Sequence, residues 1–464
     1  MEDDHEELLQ YTDDESVSEA EDNCYPIDKP QDRYLLPITF FPHSKSDFFF
    51  TLALLILSSI SLLIVLPLYI NAINLGGNVY SLTVFNVPFS TIILSVVLIT
   101  MSFLSSKFKN KDLLSMPVHF WKLLQLSCVY LSCAYLYLYG SDRNRVLCHL
   151  QDPIKGIVLV FALLYYFFFC RNLMGLHRIF STTTVIVGLF IAVDYGLCDE
   201  FVCRGFDRIK LADDAGPWSW RTHSIWTALY ILSLILFAAL FTLLDRHLAP
   251  EYEVMPTNII SPSFLNTISR QITASTSNEE PECQDNEPFN EAPMQKSAVH
   301  FAFWLHIFVW VLIMFTFWID FIPGIGKGDT ISESLNYTIQ GIMCHFSHGL
   351  DNNSVCKNVL WYSLAFQLSY VTFVISALKF LMLSQSAVFT IASTSFALPV
   401  IGLWWTLFYA SPSGALVWSP KIRGEFVCSV IGLPIVSIGL GLLCKAHFED
   451  VRRPRSVLWR HQDA

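Results

Sequence analysis

The sequence predicts an all-α polytopic membrane protein: ten transmembrane helices built as two inverted five-helix repeats. Three observations predict it. Of the 464 residues, 53% are hydrophobic and only 15% charged, a balance that belongs to a chain with most of its helices in lipid. Ten apolar stretches of helix length can be marked, at about 48–70, 88–105, 119–139, 153–170, 178–196, 223–244, 300–320, 358–379, 386–409 and 425–444. Finally, a pattern in the fourth stretch returns in the ninth: Pro153-Ile154-Lys155-Gly156 lines up with Pro399-Val400-Ile401-Gly402. Five spans per copy is an odd number, so the second copy must insert upside down. That is a plan of secondary carriers, whose binding sites lie between the repeats.

Residues 1–47 hold no apolar stretch and read as a cytosolic tail. Residues 1–28 carry twelve carboxylates and no Lys or Arg, which accounts for the net charge of −11. The acidity is therefore a property of the tail and implies no acidic or basic partner for the membrane body. Within it, Asp4-His-Glu-Glu-Leu8-Leu9 matches the acidic dileucine pattern read by clathrin adaptor complexes that sort to lysosome-type organelles. Ser16 and Ser18, set among carboxylates, are candidate phosphorylation sites.

The loops fix the topology. Lys107, Lys109 and Lys111 after span 2, Arg171 and Arg178 between spans 4 and 5, Arg246 after span 6, and Lys445, Arg452, Arg453 and Arg455 after span 10 fall on one side. The positive-inside rule places that side, with both termini, in the cytosol. The sequons at Asn336 and Asn352 lie in the loop 321–357, which this topology puts in the lumen. That loop also holds Cys344 and Cys356, and the loop 197–222 holds Cys198 and Cys203. Cysteines in luminal loops read as disulfides, either within each loop or crosslinked between the two.

The segments follow in order: the tail 1–47, a first repeat 48–196, the loop 197–222, a second repeat 223–445 and a basic tail 446–464. The second repeat is interrupted by the Ser-, Asn-, Glu- and Pro-rich linker 247–299, whose composition cannot bury a core. No cysteine spacing matches a zinc site, no Gly-rich loop matches a phosphate site, and no cofactor is implied.

Four stretches carry a family resemblance: AYLYLYGSDRNRVLCHLQDPIKG, IAVDYGL, GIMCHFSHGLDNNSVCKN and MLSQSAVFTIASTSFALPVIGLWW. With the ten-span plan, the chain resembles the drug/metabolite transporter superfamily, and within it the chloroquine-resistance-transporter-like family of lysosomal and vacuolar membranes. The resemblance spans roughly residues 48–445. It implies a central cavity lined mainly by spans 1–4 and 6–9. It also implies proton-coupled export of amino acids, small peptides or other small polar or cationic solutes from an acidic organelle. Asp194 falls where these proteins carry an acidic residue at the luminal end of span 5, and Asn71 matches an Asn flanking the cavity. Cys344 and Cys356 match luminal cysteines that form a bridge. His149, Asp152 and Lys155 replace residues that are mostly uncharged in the family, and the linker 247–299 is an insertion.

Ionisable groups inside a membrane are functional candidates by default. His149, Asp152 and Lys155 recur at i, i+3 and i+6, along one side of a helix. The bland alternative takes Asp152 as an N-cap, Pro153 as the first helical residue and Lys155 as a snorkelling side chain. Asp194 is either a proton-coupling acid or a wet interfacial one. Ser393 and Ser395 precede Pro399 and are able either to bond a solute or to satisfy freed helix carbonyls. His300 and His306 read as packing residues, and Gln367 as a weak cavity candidate.

The chain lacks the concentrated catalytic signature of a membrane enzyme, so the expectation is a non-enzymatic carrier of protons and a small solute. Its rivals are a nucleotide-sugar transporter, for which Lys155 is the one clear phosphate-binding candidate, and a membrane receptor or scaffold, which would leave the repeat unexplained.

Overall fold

The computed structural model describes residues 45–104, 115–142, 145–146, 148–169, 175–193, 220–248, 297–322, 324–327, 330–346, 356, 358–410, 416–420 and 424–452. Its elements are α1 (Lys45–Ile73), α2 (Val79–Leu104), α3 (Phe120–Gly140), α4 (Cys148–Gly156), α5 (Val158–Phe169), α6 (Leu176–Ala192) and α7 (Trp220–Leu248). There follow α8 (Ala298–Phe315), a 3-10 turn at Phe317–Phe321, α9 (Ile331–Cys344), α10 (Val359–Ser384), α11 (Ala387–Ser395) and α12 (Ala397–Leu407). The strands β1 (Phe408–Ala410) and β2 (Leu416–Trp418) and the helix α13 (Gly424–Arg452) complete the order. The chain is a polytopic membrane protein. Among the described residues, nine helical segments are long and apolar enough to cross a membrane, and α6 is a shorter apolar helix.

Several boundaries differ from those expected. The second helix starts at Val79, nine residues before Pro88, where the sequence reading began it. Asn78 makes that start possible: its Oδ1 accepts from Ser81 N at 2.8 Å, and its carbonyl takes the Ser81 hydroxyl at 2.6 Å. The polar residues that made this stretch look like a loop bond to their own helix: Thr83 Oγ1 donates to Tyr80 O and Asn86 Nδ2 to Leu82 O. A proline in mid-helix forfeits one such bond, which lipid-buried packing tolerates.

The fourth and ninth apolar stretches are each two half-helices. The fourth breaks at Ile157, between α4 and α5, and the ninth at Phe396, between α11 and α12. Because α4 begins at Cys148, Asp152 lies inside the helix and Pro153 is not its first residue, so the capping reading is corrected. The seventh apolar stretch stops at Phe315 rather than 320, and Asp320 falls in the 3-10 turn. The loop 321–357 contains an unexpected helix, α9, started by Thr330, whose hydroxyl accepts from Glu333 N. The two three-residue strands pair antiparallel, with Tyr409 opposite Val417, and are the one departure from an all-helical chain among the described residues.

The most extensive packing joins α6 to α13, α1 to α10, α3 to α7 and α2 to α8. Further contacts join α3 to α8, α2 to α10, α5 to α7, α1 to α12, α5 to α11, α4 to α6 and α12 to α13. Glycines bring α6 and α13 together: a Cβ on Gly432 would stand 2.5–2.7 Å from the backbone and Cβ of Ala192. Small residues permit this approach between membrane helices, where dispersion replaces the hydrophobic effect as the driving term. The helix α9 docks by the same device, since a Cβ on Gly77 would lie 2.6 Å from the Cα of Gly341.

Candidate functional site

A cavity of about 280 Å³ lies among the helices. Its lining comes from α1, α2, α3, α4, α5, α7, α8, α10, α11 and α12, and none comes from α6 or α13. The wall is leucine, valine and aromatic side chains with a few polar interruptions. Among the described lining residues Lys155 is the only charged one. Its Nζ bonds Asp152 Oδ1 at 2.9 Å, with side-chain exposures of 14% and 20%. The pair is thus mostly withdrawn from water, and Lys155 faces the cavity rather than reaching out to solvent.

Both helix breaks meet this cavity. Lys155 is in the last turn of α4, and Val158, the first residue of α5, also lines the wall. On the other broken segment, Thr394 and Ser395 end α11 and Leu398 follows in α12, and all three line the wall. The Ser395 hydroxyl is buried and has no hydrogen-bond partner among the described residues. Thr394 Oγ1 donates to Ile391 O at 2.9 Å. Ser393 behaves otherwise: its hydroxyl bonds Phe389 O at 2.9 Å and it does not line the cavity.

Two polar chains lead from the wall into the helix bundle. In the first, Tyr130 and Tyr370 share a hydrogen bond between hydroxyls, and Tyr370 Oη lies 2.8 Å from His306 Nε2. His306 Nδ1 sits 2.8 Å from Ala302 O, so Nδ1 carries the proton and Nε2 accepts. In the second, the Ser90 hydroxyl donates to Gln367 Oε1 at 2.7 Å, and Gln367 Nε2 donates to Asn86 Oδ1 at 2.5 Å. Asn86 Nδ2 then donates to Tyr69 Oη at 2.9 Å, and Tyr69 Oη bonds His345 Nε2. His345 Nδ1 lies 2.8 Å from Gly341 O. Asn86 lines the cavity and His345 caps α9, so this chain links the cavity to α9. His345 is buried against the Phe85 ring, 3.9 Å between centroids. That burial pushes its pKa down to about 4.

At the α9 end a buried carboxylate gathers four elements. Asp320 accepts from Asn78 Nδ2 at 2.5 Å, Ser334 Oγ at 2.6 Å and Tyr139 Oη at 3.2 Å. Nearby, the Arg145 guanidinium stacks over Trp226 and Tyr139, 4.5 and 5.0 Å from the ring centroids, and Nη2 bonds Ile325 O. Burial holds the Arg145 pKa below its usual value. Lys327 Nζ bonds the carbonyls of Asn74 and Gly77, closing the α1–α2 turn.

The structure separates the residues singled out in the sequence. Lys155 and Ser395 are brought to the cavity with Asp152 behind them. Asn71 is half-buried on α1 and outside the lining, and Gln367 is behind the wall, bonded to Asn86. His149 is placed in α4, its side chain outside the described set. Cys344 and Cys356 are disulfide-bonded, and Asn336 is exposed on α9. Asp194, Cys198, Cys203, Asn352, Asp4, Leu8 and Leu9 lie outside the described residues. Lys379 pairs with Asp47 at 2.6 Å.

Tyr69, Asn86, Tyr130, Tyr370, Asp320 and His345 were missed by the sequence reading. Comparison with known protein families finds no family model that matches the chain, and comparison with curated proteins finds no match.

Proposed function

We propose that the chain is a secondary transporter that moves a small organic solute through the central cavity by alternating access. The reading takes ten spans in two inverted repeats, with α6 as the fifth span and the pairs α4–α5 and α11–α12 as the fourth and ninth. The packing carries it. Adding five to each span number, half-helix for half-helix, turns α1–α10 into α7–α3, α1–α12 into α7–α5, α3–α8 into α10–α2, α4–α6 into α11–α13 and α5–α11 into α12–α4. The pairs α2–α8 and α6–α13 map onto themselves. These pairings support a pseudo-two-fold relating two five-helix units, and both units contribute to the cavity wall. Rocking one against the other would expose the cavity to either side in turn.

The setting is the membrane of a lysosome-type organelle, with the tail cytosolic and read by adaptors at Asp4, Leu8 and Leu9, and α9 luminal. Coupling to protons is assigned to Asp194 or His149. The cavity narrows the solute class. At about 280 Å³ it lies just below the usual range of ligand pockets, roughly 300–1,000 Å³. An apolar wall with one lysine is poorly matched to the two phosphates of a nucleotide-sugar. A solute of amino-acid size with a substantial apolar part fits better.

The test is flux in proteoliposomes under an imposed pH gradient, with a panel of amino acids, dipeptides and nucleotide-sugars. Gradient-driven movement of a small solute that Asp194→Asn abolishes supports the proposal. Exchange of nucleotide-sugars alone, or no flux with any solute, would overturn it.

A further inference from the structure

Two features of like electrical character lie on the cavity wall. Lys155 supplies the only full charge among the described lining residues. One residue beyond the α4 terminus the chain breaks, and the twelve-residue α5 restarts at Val158, on the same wall. The first amides of a helix have no intrahelical acceptors and carry a positive partial charge of about half an electron. The second broken segment differs: Phe396 keeps a helical conformation and its N–H donates to Ala392 O, so α12 presents no open helix start, and Ser395 and Leu398 on either side of the kink line the cavity. Helix α5 packs on α11, and α4 on α12.

An independent observation marks the place as a ligand site. Ser395 is 4% exposed, its hydroxyl bonds nothing among the described residues, and it lies on the cavity wall. A buried hydroxyl with neither donor nor acceptor satisfied is rare and destabilising unless a ligand or water completes it. A lysine, a hydroxyl and the start of α5 are together the donor set of an anion site. Asp152, bonded to Lys155 at 2.9 Å, is the carboxylate that holds the lysine while no solute does.

We infer that the cavity recognises a small organic monocarboxylate with an apolar body. Its carboxylate displaces Asp152 from Lys155 Nζ and accepts from Ser395 Oγ, while the body rests on the wall made by Phe237, Phe241, Phe366 and Phe373. No ammonium group is required on the solute, because no described residue lining the wall carries a carboxylate to receive one. This inference rests on the carrier reading and names the chemical class it carries.

The experiment uses the full-length chain in lipid nanodiscs and three probes with one hydrocarbon body: 3-phenylpropanoate, 3-phenylpropylamine and phenylalanine. Binding is measured by calorimetry, and counterflow in proteoliposomes follows. The wild type is expected to bind 3-phenylpropanoate, to bind phenylalanine no more tightly, and to leave the amine unbound. Lys155→Gln should weaken the acid by roughly tenfold to a hundredfold, as loss of a charged hydrogen bond does. Lys155→Arg should restore it to within a few-fold, and Ser395→Ala should weaken it by about fivefold.

Asp152→Asn separates the roles. It frees Lys155 and should tighten the acid, whereas a merely structural ion pair would make Asp152→Asn and Lys155→Gln fall together. Preference for the amine, a strict need for the phenylalanine ammonium, or a weakened Asp152→Asn overturns the inference. If the amine or phenylalanine then moves in counterflow, the carrier reading stands without it. Absence of binding by all three probes also overturns it, and the pH-gradient panel decides the carrier reading separately.

Discussion

Acidification should loosen the docking of α9 through His345, and the size of the effect follows from its burial. In the folded chain His345 Nδ1 donates to Gly341 O, Nε2 accepts from Tyr69, and the ring is sandwiched against Phe85. The imidazole is therefore held neutral, at about 4 against 6.5 for a free side chain. A histidine with a depressed folded pKa contributes its full stability above 6.5 and loses it as the pH falls toward 4, because the undocked state takes up the proton first. Between pH 7 and pH 5 this amounts to about 2 kcal/mol. The perturbation is His345→Gln, which keeps an acceptor for Tyr69 but titrates nothing. At pH 7 the variant should be the less stable by roughly 1 kcal/mol, from the lost ring stacking. At pH 5 the wild type should have lost its advantage, and the order should level or reverse. Thermal unfolding of the detergent-solubilised protein at both pH values reads this, with hydrogen exchange in α9 as the local measure. Every other titrating group is common to both proteins and cancels in the difference. A gap between variant and wild type that is the same at pH 7 and pH 5 would falsify the linkage.

Four further outcomes follow from the packing. Cys344→Ser with Cys356→Ser opens a bridge spanning 12 residues, which by loop-closure entropy should weaken the anchoring of α9 by about 3 kcal/mol, read as faster hydrogen exchange there. Gly432→Leu forces a side chain onto the Ala192 backbone and should lower thermal stability by about 1–3 kcal/mol, whereas Gly441→Ala meets nothing within 4 Å and should be neutral. Asp320→Ala takes the carboxylate from three buried donors, of which Asn78 Nδ2 keeps Thr338 Oγ1, at about 1–3 kcal/mol for each one left unpaired, and should reduce the monodisperse yield on size exclusion far more than Asp320→Asn does. Asn336→Gln should reduce a glycosidase-sensitive mobility shift to what the Asn352 sequon contributes, since Asn336 is exposed on α9 and the proposed topology places it in the lumen; an unchanged shift would count against a glycosylated, luminal α9.

Much of the fold was legible because a membrane helix announces itself by length and apolarity alone, and α3, α5, α7, α10 and α13 need nothing more. What was misread shares one cause: polar residues whose partners are on the same helix. Val79–Phe85 looks like a loop because Ser81 and Thr83 are counted as water-seeking, when each bonds a carbonyl one turn away. The start of α9 was in fact written in the sequence, as Thr330 followed three residues later by Glu333, the capping signature. It was hidden inside a loop defined by its sequons and cysteines. Lys155 and Ser395 were legible as charge and hydroxyl within apolar runs. The hub residues were not, because each is ordinary until its partner arrives from far along the chain. Asp320 gains its meaning from Asn78 and Tyr139, and His345 from Tyr69, 276 residues away.

The recurring proline pattern and the helix breaks give the proposed repeat two different registers. Pro153 and Pro399 are 246 residues apart, but the helix breaks, at Ile157 and Phe396, are 239 apart. The two registers differ by seven residues, about two turns, so they present nearly the same helix face at different depths. The cavity decides between them. On the proline register Lys155 corresponds to Ile401, which is buried away from the wall. On the register of the breaks it corresponds to Thr394, and both residues line the cavity. A break exposes backbone groups that lipid cannot satisfy, so it must face a protein-lined or solvated space. Its position is therefore tied to the site, while a proline one turn before or after serves only to make the break easier. In the proposed repeat the equivalent positions are those flanking Ile157 and Phe396, with a lysine in one half and a hydroxyl in the other. That asymmetry at matched positions is what allows a two-fold scaffold to hold a solute by one end.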